Sequence, residues 1–336
     1  MTASLIVHQV GPGVSLQDDG RVGWLAQGLS RGGAADRMAL AEGAALLGQP
    51  MGTALEMAGF GGRFEVTQAV RIALTGAPMR ATLDGAALRW QASHVLPAGA
   101  ILDIGGALEG TYGYLTLGGG LDQPSLLGAQ SAHLAAGLGR VLAAGDRLTL
   151  LPDPGGPVSR ALDVAPRWSG GTLRLLPSLQ TPLFPESERA RLCETEFRRD
   201  ARANRMGLRL LPEGEGFGLT GGQSILSEVV VPGDVQVPGD GAPYVLLYEC
   251  QTTGGYPRIG TVIPCDLPLA AQTPAGASLR FRFVTRDEAL AAETRHRAHL
   301  ATLPRATRAL VRDPSDIPDL LSYTLISGVT AGEELA

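Results

Sequence analysis

A dense run of polar residues separates two apolar segments in the C-terminal half of the chain. The run contains Gln251, Thr252, Thr253, Gly254, Gly255, Tyr256 and Arg258. The flanking segments, residues 244–248 and 261–264, are rich in β-branched or aromatic side chains, which predicts two buried strands. The two glycines predict a turn that leaves bare backbone open to close approach. We interpret the run as a binding loop presenting amide, hydroxyl and guanidinium groups; an ordinary hairpin with polar turn residues is the alternative.

A second polar cluster surrounds an alanine-rich segment that predicts a helix over residues 34–47, capped by Gly48. The cluster contains Gln17, Asp18, Asp19, Arg21, Gly32, Gly33 and Asp36. Free N–H groups at a helix N terminus favour a carboxylate or phosphate. The aspartates could instead bind a cation or act as bases. Helix capping and turn chemistry are the structural alternative.

Residues 198–207 hold four arginines and the only asparagine of the chain, Asn204. A charged run of this kind is usually a solvated loop. The functional alternative is an anion clamp, for which Arg205 is the best candidate because residues 206–207 join it to the strand that follows. On this hypothesis we expect Arg205→Ala to leave folding nearly intact while turnover falls. Elsewhere, Gln236 lies between two valines, so it points to the opposite face from them and lines a pocket or faces solvent.

The chain contains no lysine, so all 28 of its lysine-plus-arginine residues are arginine. This excludes a Schiff-base lysine, a biotin attached to this chain and the lysine of a P-loop. A bound anion must then be held by arginine forks, backbone N–H groups or helix N-termini.

The composition is that of a large globular chain: 336 residues, 18% of them charged, with a net charge of −5. It gives no basic footprint for nucleic acid and no apolar run long enough for a membrane helix. The start of the chain lacks the pattern of a signal peptide, and the three cysteines lack metal-site spacing. We therefore expect a soluble, reduced, cytoplasmic protein without a metal centre. Cys250 could be a nucleophile, but a buried strand cysteine is the favoured interpretation.

Short apolar runs alternate with glycine or Asp-Gly turns, which predicts a mainly β protein with barrel or sandwich architecture. We expect an N-terminal β-rich lobe over residues 1–157, ending in a Pro-Gly linker at residues 153–157. A second β lobe over residues 158–336 follows. Its C-terminal part predicts helices over residues 287–303 and 317–326.

The polar segments appear in an order that resembles a known family. They are residues 17–21, 33–36, 55–56, 118–120, 204–207, 236–238 and 251–257, followed by Asp266, Gln272, residues 274–276 and residues 280–281. The set resembles the allophanate hydrolase subunit 2 family, also called the Kip-type or biotin-dependent carboxyltransferase-related family. The resemblance spans about residues 5 to 290. The chain departs from the family pattern at Gly43, Gln49, Glu249 and Cys250, which leaves the substrate open.

The resemblance implies a cyclophilin-like architecture of two β-barrel-like lobes with a few peripheral helices. It also implies the role of the C subunit of 5-oxoprolinase, in which the B and C subunits use ATP to activate 5-oxo-L-proline and the A subunit opens the ring to L-glutamate. ATP would be shared with the B subunit, and Mg²⁺ is a candidate ion to accompany it. Two alternatives stay open: a carboxyltransferase acting on urea or a similar small amide, and a regulatory protein that binds the B subunit.

Combined with the residue patterns, the resemblance assigns a set of candidate site residues. Arg205, Asp36 and Asp266 are the catalytic candidates, the last two as acid–base or metal-binding groups. The substrate-binding candidates are Gln17, Arg21, Gly33, Asn204, Gln236, Gln251, Thr252, Thr253, Gly254, Gly255, Tyr256 and Gln272. The activation of 5-oxo-L-proline and the transfer of a carboxyl group to urea both build negative charge on oxygen, which arginines and backbone N–H groups stabilise.

Overall fold

The computed structural model describes residues 2–219 and 225–310. Its N-terminal lobe is built from eleven strands and one α-helix. The strands are β1 (Ser4–Val10), β2 (Ser15–Gln17), β3 (Ala54–Ala58), β4 (Phe60–Val66), β5 (Val70–Gly76), β6 (Met79–Leu83), β7 (Ala86–Ala87), β8 (Ala92–Leu96), β9 (Ile101–Ala107), β10 (Tyr112–Leu117) and β11 (Arg147–Thr149), and the helix is α1 (Arg37–Leu47). Short 3-10 helices cover Leu25–Gln27 and Leu134–Ala136.

The rest of the described chain supplies eleven more strands and three α-helices. These are β12 (Arg160–Ala161), β13 (Gly171–Leu176), α2 (Glu186–Glu194), β14 (Phe197–Asn204), β15 (Gly207–Pro212), β16 (Glu228–Val229), β17 (Asp234–Gln236), β18 (Tyr244–Leu246), β19 (Thr253–Gly254), β20 (Arg258–Val262), α3 (Leu267–Gln272), β21 (Ser278–Phe283), α4 (Arg286–Ala306) and β22 (Arg308–Ala309). Further 3-10 helices cover Thr181–Leu183 and Pro264–Asp266.

Two antiparallel sheets enclose the core of the first lobe. One has the order β11-β1-β4-β9-β6-β7 and the other β2-β3-β10-β5-β8-β12-β22. Leu5 and Phe64 from the first sheet pack with Ile72 and Leu115 from the second in a single buried cluster. The outer face of the second sheet, in contrast, carries Glu56 and other polar side chains that face helix α1 and the second lobe.

The second lobe is a closed barrel with the strand order β13-β20-β17-β18-β15-β14-β21. The strands pair antiparallel except β13 and β21, which are parallel. Phe197 and Phe281 meet edge to face inside the barrel, with ring centroids 5.3 Å apart. The barrel core continues without a break into the first lobe, because Ala35, Tyr112 and other residues of that lobe belong to the same buried cluster.

The sequence-based expectation of a mainly β protein with two β-barrel-like lobes and few helices is confirmed. The expected helix at residues 34–47 begins three residues later, at Arg37, because Asp36 is its N-cap and accepts a hydrogen bond from the Ala39 amide. Gly48 ends it in the left-handed region, as expected. The expected helix at residues 317–326 lies outside the described residues, and the boundary at residue 157 stays a prediction. In the part of the chain that the structure describes, no helix is long and apolar enough to cross a membrane.

We predict that Gly43→Ala destabilises the protein, although glycine in a helix interior normally costs stability relative to alanine. A Cβ at position 43 would lie 2.4 Å from Thr116 Oγ1, against the sheet that α1 covers. Overpacking of this kind costs about 1–3 kcal/mol. Thermal unfolding should show a lower Tm for Gly43→Ala, and the double variant Gly43→Ala/Thr116→Ala should recover most of the loss. A higher Tm for the single variant would contradict the close contact.

Candidate functional site

The polar loop at residues 251–257 is not a hairpin turn. Strands β18 and β20, which precede and follow it, both pair with β17 and not with each other. The loop therefore crosses over the end of β17 at one mouth of the barrel. On the way, β19 pairs with β16 to form a separate two-stranded ribbon. The hairpin alternative is thus wrong, because a third strand lies between the two that the loop connects.

Gly254 and Gly255 serve close packing and do not form a turn. Neither of them adopts a positive φ, and Gly254 is part of strand β19. A Cβ at Gly254 would lie 2.5 Å from Gln236 Nε2, so only glycine leaves room for that side chain. At Gly255 the nearest atom to a Cβ would be Ser227 Oγ, at 3.3 Å. The expectation of a Gly-Gly turn is therefore replaced by a close approach of backbone to the amide of Gln236.

A cleft of about 440 Å³ opens at this mouth of the barrel. Its walls are Arg202, Asn204, Met206, Arg209, Gln236, Pro238, Asp240, Tyr244, Leu246, Gln251 and Tyr256. Four of the substrate-binding candidates meet here: Asn204, Gln236, Gln251 and Tyr256. Three of them carry amides and one a phenol, so the cleft offers both donors and acceptors to a small polar ligand.

Gln236 supplies the deepest polar group of the cleft. It is 2% exposed, and its Oε1 accepts a hydrogen bond of 3.2 Å from Gln251 Nε2. Its own Nε2 is buried and has no partner among the described residues. An unpaired buried donor costs about 1–3 kcal/mol, so this amide is the strongest local sign that a ligand completes the cleft.

Two arginines and two aspartates form the rim. Asp200 accepts hydrogen bonds from Arg202 at 2.8 Å and from Arg209 at 2.9 Å, and Arg209 also donates to Asp240. Hydrogen bonds from Arg202 and Arg209 hold the pKa of Asp200 well below its usual range. All four rim residues, Asp200, Arg202, Arg209 and Asp240, are missing from the candidates drawn from sequence. The sequence feature that could have indicated Arg209 is its position between Leu208 and Leu210. Side chains alternate between the two faces of a strand, so Arg209 points away from the barrel core.

Arg205 lies next to the cleft but points away from it. It is in the turn between β14 and β15, where Asn204 and Met206 face the cleft. Its Nε donates to Glu249 at 2.5 Å, its Nη1 to Glu56 and its Nη2 to the Gly33 carbonyl. Burial alone would lower the pKa of Arg205, but Glu56 and Glu249 raise it above its ordinary value. The alternative of a solvated loop arginine is wrong, since the side chain is only 10% exposed and joins the two lobes. The expectation that Arg205→Ala leaves folding nearly intact does not fit this burial between two carboxylates, and the role of Arg205 as an anion clamp stays a prediction.

Asp36 and Gln272 belong to a second buried network between the lobes. Asp36 Oδ2 accepts hydrogen bonds from Arg167 at 2.7 Å and from Gln272 at 2.9 Å. Arg167 also donates twice to Glu42, at 2.8 and 2.9 Å. Burial raises the pKa of Glu42 despite the nearby Arg167. Neither Glu42 nor Arg167 was found from sequence. A charged residue inside an alanine-rich helix, such as Glu42, looks like an exposed position, and Arg167 lies outside the polar clusters of the sequence.

The other candidates lie outside the cleft. Asp266 accepts hydrogen bonds of 2.8 and 2.9 Å from the backbone N–H and Nε of Arg174, so it is an ion-paired residue of the barrel wall. Gln17, Arg21 and Gly33 are in the first lobe. Thr252 and Thr253 are in the loop beside the cleft, where the carbonyl of Thr252 accepts from Val230 and Thr253 pairs with Val229 in the ribbon. The assignment of all these residues to a substrate site stays a prediction.

Two possible nucleophiles are unsuited to catalysis. Burial and the nearby Asp234 raise the pKa of Cys250 to about 12, so its thiol stays protonated at neutral pH. Ser30 and His133 lie 2.9 Å apart, but His133 Nδ1 accepts from the Ala136 amide. Nε2 therefore carries the ring proton and donates a hydrogen bond to the hydroxyl of Ser30. In this tautomer the imidazole cannot accept the serine proton as a base. Within the described ranges no three His, Cys, Asp or Glu side chains are placed to hold a metal ion.

Comparison with known proteins places this two-lobed fold in a family. Residues 27–283 match the carboxyltransferase domain, subdomains A and B, and the chain belongs to that family. The predicted family resemblance is thereby confirmed.

Two curated relatives are named as the C subunit of 5-oxoprolinase, that is, as part of an enzyme. The protein of Haemophilus influenzae is 32% identical over 87% of this chain and 94% of its own length. The protein of Escherichia coli is 33% identical over 86% of this chain and 94% of its own length. The structure of the K. lactis urea amidolyase is similar in fold, with a TM-score of 0.81 at 21% identity. That match covers 94% of this chain and 21% of the amidolyase.

We predict that Arg205→Ala strongly destabilises the protein. Removing the guanidinium leaves Glu56 and Glu249 buried without their cation, which costs about 3–5 kcal/mol. Chemical denaturation of the variant should show this loss. Arg202→Ala is the matched control, since it lies in the same hairpin with a side chain that is 72% exposed, and it should leave the unfolding midpoint nearly unchanged. Equal midpoints for both variants would mean that the buried ion pair does not hold the lobes together.

A second prediction concerns the thiols. At pH 8, well below its pKa of about 12, native Cys250 should resist iodoacetamide, and it should react after unfolding in denaturant. Mass spectrometry of the cysteine peptides gives the labelled fraction with time. Fast native labelling of Cys250 would restore it as a candidate nucleophile.

Proposed function

We propose that this chain is the C subunit of an ATP-dependent 5-oxoprolinase, which acts with a B subunit to activate 5-oxo-L-proline for ring opening to L-glutamate. The observation that carries the proposal is the match to two curated C subunits along 94% of their lengths. A match of that extent makes this chain a counterpart of a whole subunit and not of one shared segment. It is therefore proposed to work in a complex with the B subunit and, for ring opening, with the A subunit.

The chemistry of the cleft fits the proposed substrate. 5-Oxo-L-proline has a lactam, with one acceptor and one N–H donor, and a carboxylate on the adjacent carbon. The amides of Gln236, Gln251 and Asn204 can pair with the lactam. The guanidinium of Arg202 at the rim is the group suited to the carboxylate, since it is the most exposed cation of the cleft. In this arrangement the cleft binds and orients the lactam, and no side chain in it is proposed as a nucleophile.

The cleft does not fit the triphosphate of ATP. The chain has no lysine, and Arg209 is held between Asp200 and Asp240, so the exposed Arg202, paired only with Asp200, is the one cleft arginine open to a ligand anion. ATP, with any Mg²⁺ that accompanies it, is therefore proposed to be held mainly by the B subunit. The contribution of this chain is then the binding and orientation of the lactam.

A second candidate function is carboxyl transfer to urea or a similar small amide. It is favoured by the name of the family, carboxyltransferase domain, and the fold is shared with the urea amidolyase. Because the chain has no lysine, the biotin would have to be attached to a separate carrier. Urea has no carboxylate, so this reaction would leave the arginines of the rim without a substrate contact.

The test is the hydrolysis of ATP by the purified B–C pair, with 5-oxo-L-proline, urea and other small amides as separate additions. The proposal expects hydrolysis stimulated by 5-oxo-L-proline, and release of L-glutamate when the A subunit is added. Neither member of the pair should do this alone. Stimulation by urea that also requires a biotinylated carrier would replace the proposal with the second candidate. Tight B–C binding with no turnover on any amide would instead indicate a regulatory protein.

Within the B–C complex, we predict that Gly254→Ala raises the KM for 5-oxo-L-proline about tenfold, the loss of one hydrogen bond of about 1.4 kcal/mol. The new Cβ would displace the Gln236 amide, 2.5 Å away, from the cleft floor. Since the displaced atom is the end of a flexible side chain, the Tm should fall only slightly. Gly255→Ala is the matched control and should keep the normal KM, because its nearest neighbour is the rotatable Ser227 hydroxyl at 3.3 Å. Equal KM values for the two variants would remove Gln236 from the site.

A further inference from the structure

The first lobe contains a buried arginine whose charge has no direct counterpart. Arg21, Arg71 and Arg167 are all less than 8% exposed. Arg71 pairs with Asp153 at 2.6 Å and Arg167 with Asp36 at 2.7 Å. No carboxylate among the described residues forms an ion pair with Arg21. Its partners are neutral: the carbonyl of Leu126 at 3.0 Å, and the carbonyl and hydroxyl of Ser131 at 2.6 and 3.2 Å.

A cavity of about 420 Å³ lies against this arginine. Most of its wall is apolar, from Leu16, Leu126, Ala129, Leu142 and Leu148. The polar residues of the lining are Arg21, Gln123, Gln130, Ser131 and Arg140. Arg21 donates hydrogen bonds to the carbonyls of three residues that line the cavity: Leu126, Ala129 and Ser131. These bonds fix the guanidinium at the cavity wall. The cavity belongs to the first lobe and shares no residue with the cleft at the barrel mouth.

Other charged groups nearby are already committed. The carboxylate of Asp18 accepts from the amides of Gly20, Gln130 and Ser131, and so orders the loop that carries the cavity wall. Arg140, which also lines the cavity, donates two hydrogen bonds to Asp146, at 2.6 and 2.9 Å. Arg21 is thus the one cation of this wall without an ion-pair partner among the described residues.

Carbonyl oxygens satisfy the N–H groups of a guanidinium but do not neutralise its charge. A buried charge is normally paired, because removal from water is costly. Burial accordingly lowers the pKa of Arg21, with Asp18 and Glu249 only partly opposing this. An anion in the cavity would supply the missing charge.

We infer that this cavity binds a small organic anion, a monocarboxylate with a short apolar body. The carboxylate would lie against Arg21, and the apolar part would contact the leucines that line the cavity. A volume of about 420 Å³ is at the small end of the range of roughly 300–1,000 Å³ for ligand pockets. The site is separate from the proposed 5-oxoprolinase function and does not depend on it.

The test uses saturation-transfer NMR and calorimetry on the full chain, with butyrate and butyramide as matched probes that differ in charge but hardly in shape. We expect butyrate to bind at least tenfold more tightly than butyramide. Ala129→Leu, which fills the cavity and keeps Arg21, should weaken butyrate binding at least tenfold. Ala144→Leu is the control for an added leucine in the same lobe, at an exposed position, and should change nothing.

Arg21→Gln provides a second variant in case Ala129→Leu does not fold, which the Tm of each variant would show. It removes the charge while its amide can still donate to a carbonyl, and it should abolish the preference for butyrate over butyramide. Equal affinity of the wild-type chain for both probes would overturn the inference. So would butyrate binding that persists unchanged in either folded variant.

Discussion

The structure depends on the guanidinium of Arg205, which is buried between the carboxylates of Glu56 and Glu249. Glu56 is in the first lobe and Glu249 directly precedes the polar loop of the second. Arg205 itself lies between Asn204 and Met206, which face the cleft. One ion-paired group therefore joins the lobes and fixes two of the segments that form the cleft walls, the turn at residues 204–206 and the start of the polar loop. The backbone adds to this, since the Glu249 amide donates to the Arg205 carbonyl at 3.0 Å.

This interface is unusual in its charge. Two buried arginines, Arg167 and Arg205, face four buried carboxylates, two each. Neutral donors add further hydrogen bonds to these carboxylates. The hydroxyl of Tyr114 donates to Glu56 at 2.6 Å, and the Gln272 amide donates to Asp36. Burial, with Glu56 and Asp36, raises the pKa of Tyr114 well above its ordinary value, so it stays a donor. Such a network specifies one arrangement of the lobes, because each polar group has lost water and depends on its partner.

The sequence predicts what local patterns encode. The apolar run at residues 244–248 contains strand β18, and Gly48 ends helix α1. Prediction fails where the outcome depends on distant residues. No local pattern shows that β17 lies between β18 and β20, so the sequence leaves a hairpin open for the loop. The partner that buries Arg205 is Glu56, 149 residues away. The cleft amides of Gln236 and Gln251 could be predicted from the sequence, because they are polar side chains in or beside buried strands. Arg209 could not, because it follows the usual alternation of polar and apolar residues in a strand.

The pairing of β12 with β22 has a consequence for how the chain can fold during synthesis. These strands extend the second sheet of the first lobe, yet their residues lie before and after the whole barrel. Residues 308–309 leave the ribosome only after every barrel strand has been made. The edge of that sheet at β12 therefore stays unpaired until residues 308–309 have been made. During that interval the open edge is the part of the nascent chain most exposed to pairing with another molecule.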